Sequence, residues 1–338
     1  MYRDISMVVF CLSMLLLSSP SLAELNVRDE PIRPLPLSSS EDPAKVALGQ
    51  RLFQDKRLSA DDRLSCSSCH LLDHYGMDRV AFSTDANERL AEIKTPTVIN
   101  SRFNFRQFWN GREVTLAEQV EATVESKSEL NSSWPQLISK LRQDKGLRQQ
   151  FEQIYDRGLS RASVVDALVT FERTLISANS PFDRWLRGEE GVLSKKALRG
   201  YKLFKSYGCV SCHQGQNVGS NMFARMGAMG HYFVDRNDDI RLADLGLFAL
   251  TDNEDDKYVF KVPSLRLAAL NRYFFHDASV DSLQEAIKVM GKYQLGRELP
   301  EKDIVLIAEF LKSLVGELPA LFAKPTSSTS SSDGASIK

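Results

Sequence analysis

Cys66-Ser-Ser-Cys69-His70 and Cys209-Val-Ser-Cys212-His213 are two copies of a C-x-x-C-H pentapeptide, 143 residues apart. Two thiols at this spacing can bond the two vinyl-derived carbons of one porphyrin, and the histidine that follows can reach its iron as proximal ligand. A C-x-x-C pair can also be half of a zinc site or a redox disulfide. The cysteine inventory argues against both. Of five cysteines, Cys11 lies in an apolar leader and the other four are used by the pentapeptides, so no thiol remains to complete a zinc site or act as a nucleophile. The expected cofactors are two covalently bound haem c groups, with His70 and His213 on the irons.

What each iron carries on its other face separates an electron carrier from an enzyme. The two halves align without gaps at an offset of 167 residues: Lys94-Thr-Pro96 with Lys261-Val-Pro263, Trp109 with His276, Gly111 with Ala278, and Thr115-Leu116 with Ser282-Leu283. This is the signature of a duplicated haem domain. The offset sets Met290 opposite Thr123. A thioether is a common second ligand to a His-bound haem and raises its potential. A core methionine fits the pattern as well, because Leu283, Ile287 and Met290 share one helical face. Thr123 offers only a neutral hydroxyl, so the first iron is expected to keep an open position. Gln119 lies one turn earlier on the same face and Glu129 further on. A carboxylate and an amide beside an open haem suit peroxide cleavage, the one moving a proton and the other holding the ligand. On sequence alone a solvated helix-end charge is the slightly favoured reading of Glu129, and a surface position fits Gln119 equally well. Of the remaining histidines, His74 reads as solvent-exposed, and His231 and His276 as packed, hydrogen-bonding residues among aromatics.

The chain has 338 residues, enough for two cores, with 43% hydrophobic and 26% charged residues;. A formal net charge of −1 provides no global field to recruit nucleic acid or an anionic membrane;. Residues 1–23 read as a secretory signal, with Arg3, an apolar run from Met7 to Leu17 and small residues at Ser21-Leu22-Ala23. Export to the periplasm follows, with no membrane anchor after cleavage. Residues 24–43 are polar and proline-rich, an extended arm.

The patterning predicts a mainly α chain of two tandem class-I-type cytochrome c domains. The N-terminal domain spans 44–183, the C-terminal domain 184–324, and 325–338 is a disordered tail. Helices are predicted at Ala44–Phe53, from Thr115, which opens a capping box with Glu118, at Trp134–Arg142, Ala162–Ser177, Ser194–Phe204, Ser282–Tyr293 and Glu301–Val315. Residues 71–94 read as a long loop over the first haem and 214–258 as loop-like. Asn179-Ser-Pro181-Phe-Asp183 reads as the boundary between domains.

The order of Trp109-Asn-Gly-Arg112, Phe171-Glu-Arg173, Asn179-Ser-Pro-Phe-Asp183, Val262-Pro-Ser-Leu-Arg266, Phe275-His-Asp277 and Tyr293-Gln-Leu-Gly296 resembles the bacterial di-haem cytochrome c peroxidases. That family also includes the di-haem enzyme that matures methylamine dehydrogenase. The resemblance runs from about Ala44 to Val315. It implies an N-terminal haem that reacts with hydrogen peroxide and a C-terminal His/Met haem, ligated by His213 and Met290, through which electrons enter. It makes Trp109 the tryptophan between them, and Gln119 and Glu129 the peroxide-side amide and carboxylate. It further implies a small periplasmic donor, either a cytochrome c or a cupredoxin. Members are commonly homodimers.

Four departures stand out. The position sixteen residues after His70, where many members carry a distal histidine, is Ala86. Thr123 replaces a proline. Lys94 replaces an asparagine of an inter-haem calcium site, where a cation should repel calcium. Asn271 and Tyr273 replace residues whose carbonyls complete that site. The expectation is a peroxidase with an open first haem. The alternatives are a protein-modifying oxidase like the maturase, which has tyrosine in place of Met290, and a non-catalytic electron carrier.

Overall fold

The protein was analysed as a computed structural model that describes residues 27–236 and 238–318. The expected signal segment and tail lie outside the described residues. The chain is mostly helical: α1 (Pro43–Phe53), α2 (Cys66–Cys69), α3 (Leu116–Glu125), α4 (Trp134–Arg142), α5 (Lys145–Ile154), α6 (Arg161–Thr174), α7 (Pro181–Leu186), α8 (Lys195–Ser206), α9 (Tyr232–Asp235), α10 (Phe248–Thr251), α11 (Leu283–Leu295) and α12 (Glu301–Ser313). One antiparallel pair, β1 (Phe223–Arg225) and β2 (Val259–Lys261), sets Phe223 opposite Lys261. No helix among the described residues is long and apolar enough to cross a membrane.

Local chemistry sets the helix starts. Asp42 accepts from the N–H groups of Ala44 and Lys45 to open α1, with Pro43 in the first position, where its missing donor costs nothing;. Thr115 and Glu118 form the reciprocal capping box of α3;. Its counterpart Ser282 accepts from Glu285 N, and α11 stops at Gly296 in a left-handed conformation (φ 63°);. The α6 helix ends at Thr174, short of the expected Ser177, because Ser177 is drawn into a buried reciprocal pair with Asn100. The α5 helix was not foreseen: only Leu147 and Phe151 on it are buried, too few apolar positions to show a period.

The two largest apolar cores among the described residues are built around Leu52, Phe53, Leu137, Phe151 and Phe171, and around Phe182, Tyr201, Phe204, Ile307 and Phe310. The segment at 179–183 joins them as a buried helix start rather than an exposed linker. Its Asp183, fully buried, takes a 2.7 Å bond from the buried Arg266. Arg266 also donates to the carbonyls of Arg33 and Gln216. The extended arm is therefore docked on the second half, with Ile32 and Leu35 buried and Ile32 bridging Gly215.

The duplication is visible in the backbone. The bridge Gln107–Glu113 recurs as Phe274–Val280, and left-handed Phe108 and Gly111 recur as Phe275 and Ala278, all at the offset of 167. The two halves then meet reciprocally. Lys94 N donates to His276 O (2.8 Å), and its repeat partner Lys261 N donates to Trp109 O (2.9 Å).

Each half also closes on one helix pair, α1 with α6 and α8 with α12. A Cβ at Gly49 would lie 2.0 Å from the Ala167 carbonyl oxygen, and one at Gly200 1.8 Å from that of Leu306. These contacts are with backbone, which cannot rotate away. Gly49→Ala and Gly200→Ala are each expected to lower unfolding stability by about 2 kcal/mol or more, as overpacking does. Denaturant titration would check this, and an unchanged midpoint would contradict the close crossing.

Candidate functional site

Both pentapeptides open onto one cavity of about 1330 Å³ between the two cores. Cys66, Cys69 and His70 line one end with residues of α3, and Cys209, Cys212 and His213 line the other with residues of α11. In the first motif, Ser65 and Ser68 tie the short α2 turn: Ser65 N donates to Ser68 Oγ at 3.0 Å. This turn sets the two thiols and His70 on one wall. The His70 ring nitrogen Nδ1 meets the Gly76 carbonyl at 3.2 Å, which orients the ring and leaves Nε2 available;.

The donor set fits two haem groups. Burial lowers the His70 imidazole from its ordinary value and takes His213 down to about 4, against partial opposition from nearby backbone carbonyls. Both are thus neutral, the form that ligates iron. Burial pushes the Cys66 thiol upward and Cys209 up to about 11, as expected of buried thiols in apolar surroundings;. All four cysteines are unpaired. One further group is orphaned in a way a bound group would relieve. The Lys261 ammonium, on the cavity wall and 9% exposed, has no hydrogen-bond or ion-pair partner among the described residues, and burial takes it down to about 8. A cation at the wall suits a propionate.

The two ends differ in the residues that line them. At the second, Met290 lines the cavity on α11 with Ile287 and Gly291. At the first, Thr123 occupies the corresponding place on α3. Its Oγ1 accepts from Gln119 Nε2 at 3.0 Å. Glu129 lines the same end and meets Arg112 at 3.4 Å, both about a third exposed. The Arg112 guanidinium stacks on Phe108, 3.2 Å from the ring centroid. In the sequence Arg112 stands only within the Trp109-Asn-Gly-Arg112 motif, and nothing there marks it as the partner of Glu129. Ala86 is buried and is not on the cavity wall. Its N–H donates to Glu129 O at 3.3 Å, which ties the loop to the carboxylate's own backbone.

Trp109 lines the cavity between the ends and is fixed at three points. Its Nε1 donates to Lys94 O at 2.9 Å, its carbonyl accepts from Lys261 N, and its ring meets His276 edge-on at 6.3 Å. His276 is buried, stacks on Phe260 and lies 2.7 Å from Asp244. Asp244 and Asp277 both bind Arg236, so a guanidinium fills the centre of this acidic cluster. The expectation for His231 is corrected: it is exposed at the start of α9, because the aromatic ring beside it, Tyr232, turns inward and carries the packing. His74 is half-buried in the loop. Asp244 lies in a segment without period, and no sequence signal pointed to it.

Lys94 is 6% exposed, and its ammonium donates to Asn271 Oδ1 (3.2 Å) and Thr95 O (3.3 Å) across the junction between halves. Glu172, quoted in the sequence only within a motif, is buried on the cavity wall with no side-chain partner among the described residues. Burial raises its carboxyl to about 8. A group whose folded pKa lies above its unfolded value contributes stability that is present at acid pH and lost as pH rises through the folded pKa. Glu172→Gln should therefore gain melting temperature relative to wild type between about pH 5 and about pH 8. A difference that stays constant across that range would contradict the burial of an ionisable Glu172.

Residues 43–191 match the family model for di-haem cytochrome c peroxidase. Cytochrome c peroxidase Ccp of Escherichia coli (strain K12) is 41% identical over 290 residues, 86% of this chain and 62% of that protein, so the chain spans less than two thirds of that relative. Cytochrome c551 peroxidase of Nitrosomonas europaea is 34% identical over 315 residues, covering 93% of this chain and 92% of the relative. Among solved structures, a MauG-like protein associated with microbial copper homeostasis superposes with a TM-score of 0.73 at 26% identity, over 88% of this chain and 95% of that one.

Proposed function

This chain belongs to the di-haem cytochrome c peroxidase family, and from that premise we propose that it reduces hydrogen peroxide to two molecules of water, consuming two electrons and two protons. The reading includes two tandem cytochrome c domains with covalently attached haem, a periplasmic location after signal cleavage, and a small cytochrome c or cupredoxin as donor. The observation that carries it is the asymmetry of one cavity. A thioether faces one histidine, while an amide, a hydroxyl and a carboxylate face the other.

Cys66, Cys69 and His70 would hold the first haem, and Cys209, Cys212, His213 and Met290 the second. When bound, the haems supply an iron centre for peroxide cleavage and a store of electrons. The remaining steps fall to side chains. Glu129 takes the proton from one peroxide oxygen and returns it to the departing one. Arg112, 3.4 Å away, holds that carboxylate in place. Gln119 positions the peroxide. Trp109, fixed by both halves, offers its π-system as the path between the two ends. Met290, in the position that the maturase fills with tyrosine, favours peroxide reduction over protein modification.

Calcium stays outside this proposal. The buried Lys94 ammonium already supplies a cation at the junction, and a second charge beside it would be repelled;.

One equivalent of peroxide added to the prereduced protein should oxidise both haems together with release of water. An electron carrier would leave both unchanged on the same timescale. Glu129→Gln should slow that single turnover by about 10²-fold or more while both haems remain attached. Unchanged kinetics in the variant would remove Glu129 from the mechanism.

A further inference from the structure

Thr123 is where the repeat and the site diverge most. Its counterpart Met290 presents a soft sulfur at the second end, whereas Thr123 lines the first end from the same position of the repeat. A threonine in mid-helix usually turns its hydroxyl back to the carbonyl one turn earlier. Here the recorded partner is a side chain instead: Thr123 Oγ1 accepts from Gln119 Nε2 at 3.0 Å. An oxygen that accepts in this way still carries its own hydrogen, and it donates no hydrogen bond among the described residues;. The free donor stands on the wall of the cavity, beside Glu129 and Arg112.

We propose that Thr123 donates a hydrogen bond to a small anion held at the first haem, with the Gln119 amide polarising its hydroxyl. The class of ligand is a monoatomic or hydroperoxide-like anion whose charge sits next to the iron. This rests on the reading that the first iron is open. It gives Thr123 a binding role in place of the mere absence of a ligand. The amide and hydroxyl act in series: donation into Oγ1 makes the remaining O–H a stronger donor. Gln119 is then a positioning residue that works through Thr123. Glu129 is left to proton transfer alone, and the two tasks are separated between two side-chain pairs, Gln119–Thr123 and Arg112–Glu129.

Fluoride is the direct probe, because it is a compact anion whose affinity for ferric haem depends on hydrogen-bond donors. Imidazole is the control, since as a neutral ligand it presents no anionic acceptor beside the iron. Thr123→Val keeps the shape and removes the donor. The oxidised holoprotein is titrated with each ligand by absorption, and haem content of the variants is confirmed first. Thr123→Val should weaken fluoride about 10-fold, the cost of one hydrogen bond to a charged acceptor, and leave imidazole within about two-fold. Thr123→Ser, which restores the hydroxyl, should bind fluoride within about two-fold of wild type. Fluoride affinity unchanged in Thr123→Val overturns the role of Thr123 while leaving the open iron standing. A parallel loss of fluoride and imidazole overturns it in favour of shape. Wild-type protein that takes up no fluoride overturns the open first iron, and with it the role of Thr123.

Discussion

A reciprocal pair of backbone hydrogen bonds holds the two halves in register. Lys94 N reaches His276 O, Lys261 N reaches Trp109 O, and the residues exchanged are each other's repeat partners. Such an exchange is the intrachain form of a self-complementary interface, in which each side offers the same pair of groups to the other. It forces Trp109 and His276 together at the centre and sets the two pentapeptides on one cavity. Without it the halves would be two separate haem-binding units with no shared wall. The buried Arg266–Asp183 pair reinforces the same register from the far side, because it gathers the arm, the start of α7 and the loop after the second motif on one guanidinium.

Symmetry of backbone makes the asymmetry of side chains informative. The helices α3 and α11 are each capped by a hydroxyl, and Thr123 and Met290 line the cavity from matching positions of the repeat. Methionine lines one end, and threonine with its glutamine makes the other end polar and hydrogen-bonding. At the junction itself, Trp109 is mirrored by His276. The indole donates to Lys94 O, while the imidazole lies against Asp244, within a cluster neutralised by Arg236. The same frame thus holds an indole on one side and a polar network on the other. Lys94 and Lys261 complete the pattern with two buried ammonium groups, one satisfied by Asn271 and the other facing the cavity.

Much of this could be read in the sequence because spacing encodes it. The pentapeptides, the offset of 167 and the hydroxyl caps foretold two cysteine–histidine clusters on the cavity wall, the pairing of Met290 with Thr123, and the starts of α3 and α11. Other features depend on contacts distant in sequence. The short α5 buries only Leu147 and Phe151, a pattern too sparse to distinguish from a polar loop. The segment at Asn179–Asp183 has the composition of a linker, but its aspartate is held by an arginine more than 80 residues on. The partner of Glu129 was present as Arg112 in a quoted motif, yet only the turn at Asn110-Gly111 brings the two within reach. His231 looked packed because aromatics adjoin it in sequence, but α9 turns Tyr232 and Phe233 inward and leaves the imidazole outside.

The account turns on one claim, that the two irons differ in their second axial ligand. Magnetic circular dichroism combined with electron paramagnetic resonance on the fully oxidised protein reads this directly. The account predicts one low-spin haem with histidine and methionine ligation, abolished as such by replacing Met290, and one high-spin haem that persists in that variant. Two low-spin haems in the oxidised protein, the first with a second nitrogen or sulfur ligand, would contradict it.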